Sequence, residues 1–306
     1  MALAIVFPGQ GAQYPGMGFD FYSSNEKAKS IFDKAEQFFG GGLLDVMFKG
    51  TEEDLKKTDY TQPAIFTMSV AIYEAMKDNL EKPLYFAGHS LGEYSALYAA
   101  GAFDLQTGIN LVKLRGNLMQ QASEKTKSGM AAVLGLDINK VEELCEKVKN
   151  IGYISIANYN CPGQIVISGE ISAIDAAEAI AKELGAKRYI KLSVAGAFHS
   201  ALMQPASDIF KSKINDFEIR DIEIPVIANW TAKEIKTSME IKEAMINQIT
   251  APVKWIDSIE YLRSKSVDKF IEIGPGAVLS GLIKKIDKSV KIYNIDKLSD
   301  VDKLQK

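Results

Sequence analysis

A mixed α/β chain, with a parallel sheet interrupted by a small antiparallel unit, is the fold these 306 residues predict. Short apolar runs alternate with amphipathic stretches through the N-terminal half, as strands do when laid parallel beneath covering helices. At a polar seam, Ser123–Gly129, the order changes to strand–helix–strand–strand–helix–strand, the ferredoxin-like arrangement. The larger pattern then resumes. Residues 1–124 and 196–306 are therefore read as one core, with 125–195 as an inserted subdomain.

Each element has its own warrant. Leu3–Phe7 is a short apolar strand closed by Pro8-Gly9. Asn25–Phe39 and Thr51–Lys57 are amphipathic helices, the second opened by a Thr-Glu-Glu-Asp capping pattern. Gln62–Asn79 reads as a longer apolar helix with Pro63 in its first turn. Pro83–Gly88 is a second strand, with helices over Ser90–Ala100 and Thr107–Ala122 behind it. In the insert, the strands are Met130–Leu136, Tyr153–Asn158, Gln164–Ser168 and Lys187–Val194. Its helices are Ile138–Lys149 and Ile171–Leu184, and Asn160-Cys161-Pro162-Gly163 is the turn between the middle strands. Beyond it, strands are expected at Ile224–Ala228, Lys269–Ile273 and Lys291–Ile295, and helices at Ser238–Ile249, Val253–Ser264 and Ala277–Ile286.

Composition narrows the function. Hydrophobic residues at 47% and charged residues at 25% describe an ordinary globular chain. A net charge of −3 is too mild for bulk nucleic-acid binding. No run approaches the roughly 20 apolar residues of a membrane span, and MALAIVFPGQG lacks the features of a signal peptide. A cytoplasmic protein is the expectation. Two histidines, His89 and His199, and two cysteines, Cys145 and Cys161, are too few for a zinc cluster or a disulfide framework. No metal cluster is expected.

Gly88-His89-Ser90-Leu91-Gly92 fits the nucleophile-elbow pattern G-x-S-x-G, with a strand before it and a helix after it. So sharp a turn leaves no room for a Cβ at either flanking position. A serine hydroxyl needs a base. His89, adjacent on the elbow, should point away and order the turn by a hydrogen bond. His199, 109 residues downstream in Gly196-Ala197-Phe198-His199-Ser200, is left by elimination. The amide of Leu91 is the expected first oxyanion donor, and that of Gln10 in the Gly9-Gln10-Gly11 turn a second. Tyr14 breaks any G-x-G-x-x-G reading of that turn. On its helix, Arg115 has Leu111, Val112, Leu118 and Met119 three and four residues away, which places it on the buried stripe. A buried guanidinium needs a partner, supplied either by a carboxylate of the protein or by the substrate. It is one of 4 arginines among 36 basic residues.

These motifs together resemble the malonyl-CoA:acyl carrier protein transacylases of bacterial fatty-acid synthesis. The resemblance rests on FPGQGAQYPGMG (Phe7–Gly18), TQPA (Thr61–Ala64), GHSLGEYSAL (Gly88–Leu97), Arg115-Gly116 and ANYNCPGQIVISG (Ala157–Gly169). It continues through GAFHSALM (Gly196–Met203), Gln248 before Pro252-Val253, and IGPGAVL (Ile273–Leu279). It implies an α/β-hydrolase-like core and an S-malonyltransferase that passes malonyl from malonyl-CoA to the phosphopantetheine thiol of holo-acyl carrier protein through a malonyl-serine. It casts Ser90 as nucleophile, His199 as base, Gln10 and Leu91 as oxyanion hole, and Arg115 as partner of the malonyl carboxylate. A backbone carbonyl near Gln248 would orient the histidine, Gln62 and Asn158 would lie near substrate, and the bulk of Phe198 would disfavour a 2-methyl group. A monomer that needs no metal or other cofactor, with neither nucleic-acid nor membrane partners, is implied. An acidic carrier protein would need a basic patch, either Lys182, Lys187, Arg188 and Lys191 or Lys284, Lys285 and Lys288. The rivals are a polyketide-pathway acyltransferase, a serine esterase or thioesterase, and a non-catalytic carrier-binding protein.

Overall fold

In the computed structural model, which describes residues 2–304, ten strands form two sheets. The larger contains β1 (Ala2–Phe7), β2 (Tyr85–Gly88), β7 (Val226–Ile227), β8 (Glu234–Ile235), β9 (Val267–Ile273) and β10 (Lys291–Ile295), in the order β10-β9-β1-β2-β7-β8. All its pairings are parallel except β7 with β8. That two-residue antiparallel edge strand was not anticipated; a Glu-Ile pair carries no alternation to read. The smaller sheet holds β3 (Ser128–Leu134), β4 (Ile154–Cys161), β5 (Gln164–Glu170) and β6 (Arg188–Lys191), in the order β4-β5-β3-β6, antiparallel throughout.

Period-two alternation explains why both faces of β1 are buried. Leu3, Ile5 and Phe7 join the core under the N-terminal helices, while Ala4 and Val6 face Trp255, Ile259 and Leu282. In the small sheet, Ala131, Val133, Ile165 and Ile167 pack on the sheet's own helices through Val141, Leu144, Ile174 and Ala177. Its other face, with Met130, Ala132 and Val166, joins the main core. Burying such side chains contributes about 1.5–3 kcal/mol each, a reserve large enough to hold a few strained backbone positions.

Several boundaries differ from expectation. The Pro63 helix begins at Thr58, so the proline lies in the second turn, behind a polar first turn with no apolar period. β4 runs on to Cys161, and only Pro162 and Gly163 (φ 74°) make the turn. β6 stops at Lys191 instead of Val194. The elbow helix starts at Gly92, because Ser90 is left-handed. Helices Phe19–Ser24 and Leu43–Lys49 went unread: each starts behind a left-handed glycine, Gly18 or Gly42, with no side-chain cap. Among the described residues, no helix is long and apolar enough to cross a membrane.

Candidate active site

The elbow is as tight as its glycines imply. A Cβ on Gly88 would lie 1.9 Å from the carbonyl carbon of Gly92, and one on Gly92 would lie 2.0 Å from the Phe7 carbonyl oxygen. A Cβ on Gly9 would meet the His89 carbonyl oxygen at 2.3 Å. The turn after β1 is therefore packed backbone on backbone against the elbow, which brings Gln10 to the same cavity as Ser90. Among the described residues, the amides of Gln10 and Leu91 make no hydrogen bond.

Ser90 (φ 51°) and His199 (φ 58°) both adopt the left-handed backbone without being glycine. Such residues cost about 1–3 kcal/mol and persist where the surroundings over-determine them. Here they meet: Ser90 Oγ lies 2.8 Å from His199 Nε2, and His199 Nδ1 lies 2.8 Å from the Gln248 carbonyl oxygen. A carbonyl only accepts, so Nδ1 carries the proton in the neutral ring and Nε2 presents its lone pair to the Ser90 hydroxyl. Burial, and after it the positive charge of Arg115, drives the His199 pKa down to about 3. The imidazole is thus neutral at ordinary pH and free to take a proton. The small sheet holds its loop, with Ser168 Oγ donating to the Phe198 carbonyl (2.5 Å) and the Ala197 amide donating to Ser128 Oγ (3.1 Å).

Arg115 is 1% exposed. One terminal nitrogen donates to Gln62 Oε1 (2.8 Å), and the other to Gln248 Oε1 (3.0 Å) and Ser90 Oγ (3.1 Å). Its guanidinium carbon lies 5.4 Å from the Tyr94 ring centroid, within cation–π range. These acceptors are all neutral, and among the described residues Nε has no partner. Of the two sources of a carboxylate left open by the sequence, the described residues provide no direct ion pair, and buried Glu93 acts on the guanidinium only through space.

Ser90, His199, Arg115, Gln10, Asn158 and Phe198 line one cavity of about 100 Å³, closed on the small-sheet side by Met130, Leu192 and Val194. Drug-sized ligands occupy about 300–1,000 Å³, so this hollow suits a short acyl group. Gln62, expected near substrate, and the Gln248 side chain stand behind Arg115 and not on the cavity wall. Gln248 touches three partners at once, since its Nε2 also donates to the Ser90 carbonyl (3.0 Å). His89 is turned away from the hydroxyl, its Nε2 2.8 Å from Asn160 Oδ1 and its ring edge-on to Trp255. In the two basic patches, Lys191 is paired with Asp175 and Glu178, and Lys284 donates to the Val290 carbonyl. Lys182, Lys187, Arg188, Lys285 and Lys288 remain exposed.

Sequence reasoning missed Asn229 and Glu93. Asn229 follows β7 and meets the elbow; a polar residue directly after an apolar strand was the available sign. Glu93 is fully buried, with Oε2 accepting from the Asn229 amide (2.8 Å) and Oε1 unpartnered among the described residues. Burial pushes its pKa up from 4.5 to about 7. A carboxyl raised in the folded state stabilises below its unfolded pKa, and that stability drains away as pH rises through the folded value. Glu93→Gln cannot ionise, so its stability relative to wild type should improve by about 2 kcal/mol between pH 5 and pH 8. His199 titrates in both proteins and cancels in the comparison. Urea unfolding at the two pH values measures the change, and an unchanged difference would mean that Glu93 does not titrate in this window.

An acyl transferase domain family model matches residues 4–305. The malonyl CoA-acyl carrier protein transacylase of Staphylococcus aureus (strain MRSA252) is 46% identical over 299 residues, covering 97% of this chain and 96% of that protein. The protein of the same name from Bacillus subtilis (strain 168) is 43% identical over 290 residues, 94% of this chain and 92% of that one. Among solved structures, an acyl carrier protein S-malonyltransferase from Vibrio cholerae superposes with a TM-score of 0.95 at 39% identity, covering 99% of this chain and 100% of that one. A malonyl-transacylase solved in complex with its type II PKS acyl-carrier protein gives 0.96 at 36%, covering 99% and 98%. Family model, sequence and backbone agree over almost the whole length, and the chain belongs to the acyl transferase family, alongside its malonyl CoA-acyl carrier protein transacylases.

Proposed function

We propose that this protein transfers a malonyl group from malonyl-CoA to the phosphopantetheine thiol of holo-acyl carrier protein, in fatty-acid biosynthesis. The observation that carries the reading is Arg115: a buried cation with only neutral partners, 3.1 Å from the hydroxyl that His199 activates. A carboxylate at the far end of a short acyl chain supplies a direct counter-charge, and the guanidinium fork donates two parallel bonds to it.

The chemistry follows from the geometry. Ser90 Oγ gives its proton to His199 Nε2 and attacks the thioester carbonyl, and the oxyanion forms toward the Gln10 and Leu91 amides. Collapse breaks the carbon–sulfur bond, and the departing coenzyme A sulfur takes the proton from His199. The carrier thiol then gives its proton to His199 and attacks the malonyl ester, and Ser90 Oγ leaves with that proton. Asn158 and Phe198 bound the acyl chain; Gln62 and Gln248 hold the guanidinium in place. The larger sheet is read as an α/β-hydrolase-like core of residues 1–124 and 196–306. The β3–β6 unit, within 125–195, is read as a ferredoxin-like insert that carries the histidine loop. The protein is taken to act as a cytoplasmic monomer, and the exposed lysines on either patch suit an acidic carrier. Transfer in a polyketide pathway is the second reading, favoured by the backbone match to the type II PKS complex.

The test is competition among malonyl-, methylmalonyl- and acetyl-CoA with holo-carrier protein, followed by intact mass. Malonyl should accumulate on Ser90 when the carrier is absent and move to the carrier when it is added. Rapid release of free malonate without carrier would identify a hydrolase instead.

A further inference from the structure

Both peptide planes beside Ser90 are gripped by a buried side-chain amide, and only one of the two amides is explained by the site described above. Gln248 Nε2 donates to the Ser90 carbonyl, which sets the plane of the Ser90–Leu91 peptide and so the direction of the Leu91 N–H. On the other side, the Ser90 N–H donates to Asn229 Oδ1 at 2.6 Å, and Asn229 Nδ2 donates to the Gly88 carbonyl at 2.7 Å. Asn229 thus spans the elbow from the residue two before the serine to the serine itself. Its own main chain is fixed as well: its amide donates to Glu93 Oε2, and its carbonyl accepts from the Lys254 amide at 2.9 Å. Every polar group of the residue has a partner, and it is 1% exposed.

We propose that Asn229 is a positioning residue for the nucleophile: its side-chain amide holds Ser90 at its left-handed φ, so that Oγ and the Leu91 N–H converge on one carbonyl carbon. The proposal deepens the acyltransfer reading and rests on Ser90 being the nucleophile. It draws on three features. Ser90 is strained and has no glycine's freedom, so something outside the turn must hold it. Asn229 does not line the cavity, so it acts through Ser90 and not on the acyl group. With the Ser90 N–H committed to Asn229, the Leu91 N–H is the elbow donor left for the oxyanion. A small rotation about φ of Ser90 would swing Oγ and the Leu91 amide out of alignment together. Misplacement of this kind lowers kcat without weakening binding.

Asn229→Ala and Asn229→Asp are compared with wild type in two measurements. The first is the rate at which a fluorophosphonate labels Ser90, in which Oγ displaces fluoride from phosphorus and its proton passes to His199. The second is steady-state transfer from malonyl-CoA to holo-carrier protein. For Asn229→Ala, labelling and kcat should both fall by about 100-fold, the scale of losing one aligned oxyanion donor, with KM for malonyl-CoA changed by less than about threefold. Asn229→Asp keeps an acceptor for the Ser90 N–H but loses the donor to Gly88, and should fall between. Wild-type labelling in a folded variant, or a rise in KM that matches the fall in kcat, would overturn the proposal. So would failure of both variants to fold, which would make Asn229 an element of the fold. Because the fluorophosphonate needs no particular acyl group, the labelling arm decides the positioning role whichever thioester the enzyme accepts.

Discussion

Ser90→Ala is expected to lower malonyl transfer by about 10⁴-fold or more and to leave no acyl mass on the protein after incubation with malonyl-CoA. The hydroxyl is the point where the histidine and the guanidinium meet, 2.8 Å from His199 Nε2 and 3.1 Å from Arg115. Removing it leaves the oxyanion donors and the guanidinium in place but nothing for them to serve. The fold should survive, since alanine tolerates φ 51° no worse than serine does. Ser90→Gly should be equally inactive yet more stable by about 1 kcal/mol, because glycine adopts a positive φ without strain. His199→Ala should be about as damaging as Ser90→Ala, and the double variant no worse than either single one, as expected for two groups that act as a unit. Transfer assays and intact mass on the four variants check the activities, and urea unfolding checks the stability of Ser90→Gly. A malonyl adduct persisting on Ser90→Ala would place the nucleophile elsewhere.

The parts of this site that were legible in the sequence are those governed by local sterics. Gly88 and Gly92 announced the elbow because the pattern is local, a Cβ on Gly88 colliding with Gly92 four residues on, although one on Gly92 would strike the Phe7 carbonyl at the end of β1. The buried stripe of the Leu105–Lys125 helix announced Arg115 because helical periodicity is local too. His199 was reached only by scarcity, there being two histidines to choose from. What stayed hidden depends on contacts across 130 residues or more. Asn229 meets the elbow 139 residues upstream of it, and the Gln248 side chain reaches Ser90 across 158. No spacing rule connects such residues. The turn in the insert was misplaced for a related reason. Asn160 and Pro162-Gly163 look like one loop, but pairing with β5 keeps Cys161 in the strand, and Asn160 is matched to His89 on the opposite sheet. Helices that begin behind glycine lack a Ser, Thr or Asp cap to read, and so they appeared only in the structure.

Arg115→Ala should separate the acyl group's charge from its reactivity. Malonyl transfer should fall by about 10²–10³-fold in kcat/KM, since cutting one side of a buried charge-assisted pair costs about 2–5 kcal/mol. Acetyl transfer has no carboxylate to lose and should change far less, so the ratio of the two activities shifts toward acetyl. Arg115→Lys should not restore malonyl transfer, because an ammonium cannot hold Gln62, Gln248 and a carboxylate in one plane as the fork does. The pH profile carries a second, independent sign. Burial is the main cause of the low His199 pKa, and the Arg115 charge is the next largest. Removing that charge lets the pKa rise. A base works only above its pKa, so the acid limb of kcat/KM for acetyl-CoA should move to higher pH in Arg115→Ala than in wild type. The two readouts separate the possible roles of the guanidinium. Unchanged selectivity with a shifted limb would make Arg115 an electrostatic neighbour of the histidine, whereas lost selectivity makes it the carboxylate's partner. Retention of both the malonyl preference and the wild-type limb would remove Arg115 from the mechanism altogether.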